Sequence, residues 1–238
     1  MNDRAANLGG LKSLLEADKP GRPFNAPARE NCDKLEWYPA VADLALSGDL
    51  GFTTGRWVCT LAGGGQSQGH YLTLWKRDAG SDWRVQFDAT GSSPAPADAE
   101  PRLLTEGAAS GPSAPPPQLV ANEAVDQAIA DFQDAIGHDG IAGGLRTYAR
   151  TRDFLFYTNH AATLGMADAN QYFTDHPMLG DCREESRILS ADGTLAYCAG
   201  EFTNAKQRSG HAYSQIWQYE PRVANWGLRV LLFDLLSP

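Results

Sequence analysis

The spacing of apolar residues changes character along the chain. From Ala121 to Gly137, ANEAVDQAIADFQDAIG sets Ala124, Val125, Ala128, Ile129, Phe132 and Ile136 at helical intervals. That pattern predicts a helix with one apolar face, closed by Gly137 as the residue after its end. A second short helix, GIAGGLRTYAR, follows, and then a loop-rich stretch with aromatics, FLFYTN and NQYF. Beyond it the pattern becomes that of strands. ESRILS and TLAYCAGEF meet at Ala191-Asp192-Gly193, a hairpin signal, and GHAYSQIWQYE meets NWGLRVLLFDLL around Pro221-Arg222. The last strand is apolar on both faces, with Leu228, Val230 and Leu232 on one and Leu231, Phe233 and Leu235 on the other. A strand of that kind needs a cover on each side.

The first half repeats the strands. Asp43 to Ser47 and Leu50 to Thr60 join at Gly48-Asp49, and Gly63-Gly64-Gly65 turns into GHYLTLWKR. Asp78 to Ser81 turns into DWRVQFDAT, where Trp83, Val85 and Phe87 alternate with Arg84, Gln86 and Asp88. The halves also share letters. GGLKSLL at Gly9 matches GGLRTYA at Gly143, and Leu46-Ser47 matches Leu189-Ser190. Phe52 to Gly55 matches Tyr197 to Gly200, Gly69-His70 matches Gly210-His211, and Trp75 matches Trp217. Arg84-Val85 matches Arg229-Val230, Asp88 matches Asp234, and the halves end in Ser93-Pro94 and Ser237-Pro238. Matches in one order, with gaps at turn residues, indicate a duplication. Between them, Ser92 to Gln118 is rich in Pro, Ala, Ser and Gly and reads as an exposed linker. The expected domains are residues 1–94, lacking most of the long first helix, and 119–238, with the linker at 95–118.

Composition narrows the partners. The apolar share is 42% and the formal charge −9, with the basic residues scattered. Nucleic-acid binding needs clustered Lys and Arg, so neither nucleic acid nor an anionic membrane surface is an expected partner. No apolar run is long enough to cross a membrane. MNDRAANLGG has no signal-peptide pattern. A cytoplasmic location is expected if the chain is complete, and a periplasmic or secreted one if a leader has been removed. Cys32, Cys59, Cys182 and Cys198 show no C-x-x-C spacing. They read as small buried apolar residues, with their disulfide state left open. No spacing suits a metal, and no phosphate-loop, dinucleotide, zinc-protease or nucleophile-elbow motif occurs, so neither a metal nor a cofactor is expected.

SGDLGFTTGRW, followed by GHYLTLWKRDAGSDWRVQFDATGSSP, resembles the nuclear transport factor 2-like superfamily, also called ketosteroid-isomerase-like or SnoaL-like. The nearest pattern belongs to a bacterial group of uncharacterised function. The likeness is good over Trp37 to Pro94, while the second half keeps fragments such as Gly200, Gly210-His211, Trp217 and Asp234. It implies an α+β fold of two tandem cone-shaped domains, each with helices on a strongly curved antiparallel sheet. It also implies that the two pair within the chain as a pseudo-dimer, so that the chain is a monomer.

Catalytic members of that superfamily use a carboxylate or histidine base with a tyrosine or protonated acid, both pointing into the cone. By that resemblance the candidate catalytic residues are His176, His211 and Asp234. The candidate ligand-binding residues are Tyr148, His160, Tyr172, Tyr197, Arg56 and His70. Bland readings stand beside these. Thr-Asp-His-Pro around His176 is a surface turn, His70 and His211 are structural groups at one repeat position, and Asp88 and Asp234 are strand-end carboxylates. Trp75 and Trp217 read as core. Arg56 faces with Phe52 and Thr54 and suits an anionic ligand, whereas Glu201 in its place repels one, so the two cones are not expected to share a ligand. The leading expectation is binding of a small hydrophobic molecule in a cone-shaped pocket. Two alternatives stay open: a dehydratase, isomerase or cyclase using a His or Asp base in the second domain, and a non-catalytic association module whose pockets are filled.

Overall fold

The computed structural model describes residues 3–18, 32–92, 118–149, 155–158, 162–164, 166–176, 180–204, 210–220 and 225–233. The chain divides into two compact units, Met1–Ser110 with Asn159–Ala161, and Gly111–Thr158 with Ala162–Pro238. The architecture is mixed α+β. Unit 1 has helix α1 (Asp3–Ala17) and strands β1 (Cys32–Leu44), β2 (Leu50–Leu61), β3 (Gln66–Lys76) and β4 (Arg84–Ser92) in one antiparallel sheet of that order. Unit 2 has helix α2 (Gln118–Tyr148), β5 (Leu155–Thr158), β6 (Ala162–Leu164), helix α3 (Met166–Asp175), β7 (Gly180–Leu189), β8 (Leu195–Asn204), β9 (Gly210–Glu220) and β10 (Asn225–Phe233). Its sheet runs β6-β5-β10-β9-β8-β7, antiparallel except for the parallel β10–β5 pair.

Several local expectations need correction. The helix of unit 2 passes straight through Gly137, and its non-helical residue is Gly140, at φ 70° and ψ 177°. Only glycine adopts that conformation cheaply. The bend there lets Ile141 and Leu145 join the same buried cluster as Phe132 and Ile136. NQYF is helical, because Ala169 and Phe173 lie one turn apart and are both buried in α3, and LFYT supplies β5. β1 starts at Cys32 and ends at Leu44, so it is longer than Asp43–Ser47 and carries Pro39, which an edge strand tolerates beside a bulge. Cys32 and Cys59 are not a pair of plain apolar residues: they form a disulfide across β1 and β2, with Cα atoms 5.6 Å apart. Cys182 and Cys198 are free thiols. The expected junction at Pro221-Arg222, the closing Ser-Pro pairs and linker positions 95–117 lie outside the described residues.

The duplication is visible in the hydrogen bonds. In unit 1, the Ala45 N–H donates to the Leu50 carbonyl at 2.9 Å, Gly48 to Ala45 at 3.0 Å and Arg77 to Asp49 at 2.9 Å. In unit 2, Ser190 donates to Leu195 at 2.9 Å, Gly193 to Ser190 at 3.0 Å and Tyr219 to Thr194 at 2.9 Å. Gly48 and Gly193 hold the turn at φ 68° and 65°. Two register shifts recur as well. Ala40 is the extra residue of β1 opposite Gly55 and Thr54, and Glu185 is the extra residue of β7 opposite Gly200 and Ala199. Gln86 bulges from β4 opposite Trp75 and Leu74, and Arg229 bulges from β10 opposite Trp217 and Ile216. A bulge inserts one residue and reverses which face follows, so two matched bulges mean one inherited backbone.

That register revises four letter matches. Ser190 stands at the place of Ala45 rather than beside Ser47, and Arg229 at the place of Gln86 rather than Arg84. Asp88, opposite Thr73, has Leu231, opposite Gln215, as its counterpart, not Asp234. His70 lies opposite Arg56, whereas His211 lies opposite Phe202. Phe202 is the counterpart of Trp57, which faces Gly69, so the two histidines are one residue out of step. With a side-chain period of two, they point to opposite faces of their sheets.

Each helix packs on the tryptophan-bearing face of its sheet. In unit 1, Leu11 and Leu14 of α1 pack with Ala42, Leu44, Trp75 and Trp83, while Trp37, Trp57, Cys59 and Tyr71 form a second cluster. In unit 2, one large cluster joins Val125, Ile129 and Phe132 of α2 to Phe173, Cys198, Phe202, Trp217, Leu228 and Phe233. β10 is buried on both faces over Leu228 to Phe233, as its apolar pattern requires.

Candidate functional site

Odd-numbered residues of β2 and β3 form the helix-facing side of unit 1, among them Trp57, Cys59, Tyr71, Thr73 and Trp75. Asp18 follows the last turn of α1, its N–H bonded to the Leu14 carbonyl at 3.0 Å, and is 1% exposed. The Tyr71 hydroxyl donates to Asp18 Oδ2 at 2.7 Å, and the Trp37 indole N–H donates to the Asp18 carbonyl at 3.3 Å. A carboxyl group is tolerated there because the Tyr71 hydroxyl meets it. The pair ties the end of α1 to the middle of the sheet.

One strand further along, the same face opens. A cavity of about 780 Å³ lies against the C-terminal half of α1 and the start of β4. Ser13, Glu16 and Ala17 border it from the helix, and Trp75 and Trp83 supply indoles. Val85, Gln86, Phe87 and Asp88 border it from β4, with Asp82 just before that strand. The Trp75 N–H donates to Thr53 Oγ1 at 2.9 Å, and the Thr73 hydroxyl donates to Asp88 Oδ1 at 2.5 Å. Those bonds fix one indole and one carboxylate at the wall. The Arg77 guanidinium sits over the Trp83 ring, 4.4 Å from its centre, while its Nε donates to the Gly48 carbonyl at 2.8 Å. Val85, opposite Trp75, is 41% exposed at the rim.

The matching side of unit 2 is filled. Tyr213 stands at the register place of Tyr71, 3% exposed, and burial raises its phenol above the usual range. Phe132, Trp217 and Tyr148 meet edge to face with centroids 5.5, 5.9 and 6.2 Å apart. Burial pushes the Cys182 and Cys198 thiols up to about 12, so both are protonated and inert at neutral pH. Glu184 accepts both Nε and Nη2 of Arg187 at 2.9 and 2.8 Å, and Arg187 also pairs with Asp126.

The residues singled out from the sequence are dispersed. His176 is exposed just past α3, stacked on Tyr172 at 4.6 Å, with its ring Nδ1 3.1 Å from the Tyr172 carbonyl. Tyr172 also meets Phe173 at 5.2 Å. His211 is half-buried between Phe233 at 5.6 Å and Phe202 at 6.4 Å. Tyr148 is part of the aromatic trio. Tyr197 lies on the other face of its sheet, 1% exposed, its hydroxyl 3.3 Å from Ser214 Oγ, and burial raises its phenol. Arg56 and His70 are brought together as a direct cross-strand pair on the face of sheet 1 away from α1. Burial first, and the Arg56 charge second, hold His70 down to about 4. His160 and Asp234 lie outside the described residues. None of the candidates borders the cavity among its described lining residues.

Sequence reasoning passed over the residues that do. Trp75 reads as core and Asp88 as a strand end, and away from the cavity the Asp18–Tyr71 pair gives no signal, its members being 53 positions apart. The signal that was present is DWRVQFD, a tryptophan and two acids around a strand start. Among the described residues no group of three or more His, Cys, Asp or Glu side chains is placed to hold a metal ion.

No protein-family model and no curated protein matches the sequence. Solved structures of nuclear transport factor 2-like and cystatin-like fold match it, each over about half of its length. A nuclear transport factor 2-like protein of unknown function from Shewanella oneidensis is 11% identical, covers 47% of this chain and 97% of its own, and has a TM-score of 0.39. A DUF3225-family protein of unknown function from Pectobacterium atrosepticum is 18% identical over 50% of this chain and 94% of its own, with a TM-score of 0.41. A cystatin-like fold protein from Burkholderia xenovorans is 13% identical over 51% and 95%, also with a TM-score of 0.41.

Proposed function

We propose that unit 1 binds a small hydrophobic molecule in the cavity between α1 and β4. The observation that carries this reading is the cavity itself: about 780 Å³, walled by two indoles with polar groups at its edge. Small-molecule sites have volumes of roughly 300–1,000 Å³ and just this mix of apolar wall and few polar contacts. An enzyme needs an acid–base group within reach of the bound molecule. The histidines of unit 2 offer little support for that, His138 and His176 being exposed and His211 stacked among phenylalanines. The Tyr71–Asp18 pair is closed off by its own hydrogen bonds and does not border the cavity. The carboxylates at the cavity are Glu16 and Asp82, both exposed to water, and Asp88, which already accepts the Thr73 hydroxyl, so binding without catalysis accounts for more of the geometry, and the packed interior of unit 2 fits a supporting role.

The test is titration with a panel of aromatic and alicyclic compounds, followed by tryptophan fluorescence and thermal shift. Saturable binding is expected, weakened about tenfold or more in Val85→Arg, where a long charged side chain fills the rim from an already exposed position. Absence of any saturable ligand, or binding indifferent to Val85→Arg, overturns the reading.

A further inference from the structure

Resting on that reading, we infer that the ligand class is a small organic cation, an ammonium group carried on an aromatic or alicyclic body. Among the described lining residues, every charged side chain is a carboxylate: Glu16, Asp82 and Asp88. They converge from three directions, the helix, the approach to β4 and β4 itself, so their fields add in the cavity rather than along one surface. Asp88 is held in place by the Thr73 hydroxyl. Trp75 and Trp83 contribute indole faces, the best aromatic partners for a cation. The protein already uses one of them so: the Arg77 guanidinium lies over Trp83, 4.4 Å from the ring centre. Among the described lining residues no side chain is cationic, so the carboxylates set the sign of the wall. An anionic ligand would meet like charge at three of the polar lining residues, with only the neutral Ser13 and Gln86 side chains beside them, and a neutral one would leave the convergent acids unused. The formal charge of −9 favours approach of a cation from a distance as well.

Three probes of one shape decide the matter: 2-(2-naphthyl)ethylamine, 2-(2-naphthyl)ethanol and 2-naphthylacetate, titrated calorimetrically into the full chain at low and at high salt. The amine is expected to bind about tenfold tighter than the alcohol, with the acid weakest, and its advantage should shrink at high salt. In the double variant Glu16→Gln/Asp82→Asn, two exposed positions, the advantage should fall several-fold while the alcohol is unchanged. Equal or tighter binding of the alcohol overturns the cation assignment and leaves the hydrophobic cavity standing. An amine preference that survives the double variant and Asp88→Asn also overturns it. No saturable binding of any probe by the wild-type chain removes the cavity reading itself.

Discussion

The two sheets share a turn and two bulges, yet one borders an open cavity and the other a filled interior. At the place of Trp75, beside the cavity, unit 2 has Trp217, gripped edge to face by Phe132 at 5.5 Å. The helices account for much of that contrast. α2 has an arm on each side of Gly140, and Val125, Ile129, Phe132 and Ile136 on the first arm fill the interior. α1 is a single helix whose described core residues are Leu11 and Leu14. Inherited backbone thus sets where a site can lie, and the bulk of the covering helix decides whether it is open.

Removing the bulk should therefore convert one unit toward the other. Phe132→Ala deletes a fully buried ring and is expected to cost about 3–5 kcal/mol, the range for large aromatic truncations in cores. It should also open a void beside Trp217 and Tyr148 that takes up small aromatic molecules. Chemical denaturation measures the first effect and benzene-dependent stabilisation the second. A loss under 1 kcal/mol would mean that the interior of unit 2 is loosely packed and the contrast false.

The disulfide is the next largest difference. Cys32 and Cys59 close a loop of sequence separation 27 in unit 1, whereas Cys182 and Cys198 remain free in unit 2. Chain-entropy arguments give about 3.5 kcal/mol for a loop of that size. Cys32→Ala/Cys59→Ala should lower amide protection in β1–β4 by about that amount and change β7–β10 less. Equal loss in both sheets would show that the bridge does not act locally. A bridge of this kind persists in oxidising surroundings, so reductant alone should reproduce the effect.

Below these comes a pH effect confined to one repeat. His70 faces Arg56, while the register counterparts are Ala212 and Glu201. Burial and Arg56 lower His70 from 6.5 to about 4, so the unfolded chain binds the proton more readily than the folded one. Stability is then intact above pH 6.5 and falls as the pH drops toward 4, by roughly 2 kcal/mol at pH 5. His70→Gln should flatten that slope between pH 6.5 and 4. An unchanged slope in the variant would assign it to other groups.

These effects also show what the letters revealed and what they hid. The strand pattern, the Gly48 and Gly193 turns and the repeat were legible because glycine turns and alternating residues act locally. The exact register was not. Matching Gly69-His70 to Gly210-His211 preserves identity and is still one residue out, because the register is set by pairing with β2 and β8, where Gly69 faces Trp57 and His211 faces Phe202, the counterpart of Trp57. One residue is enough to turn His70 away from the helix side and leave His211 on it. The cavity escaped for a related reason: Glu16, Trp75 and Asp88 come from α1, β3 and β4, and only the folded sheet brings them together.

The smallest expected effect tests the comparison at its centre, because Tyr71 and Tyr213 occupy one register position. Tyr71→Phe removes the donor to Asp18 Oδ2 and leaves a carboxylate that is 1% exposed without that bond. Hydrogen bonds to charged groups contribute about 1.5–3 kcal/mol, so a loss of about 1–2 kcal/mol is expected. The Tyr213 hydroxyl has no such carboxylate bonded to it among the described side chains, and Tyr213→Phe should cost under about 1 kcal/mol. Equilibrium denaturation of both variants gives the ordering directly. If the double variant Tyr71→Phe/Asp18→Asn recovers most of the loss, the cost lies in the charge of Asp18 that has lost its tyrosine donor. If the two single variants cost the same, the Tyr71–Asp18 tie does not distinguish the units, and the fixed end of α1 beside the cavity needs another cause.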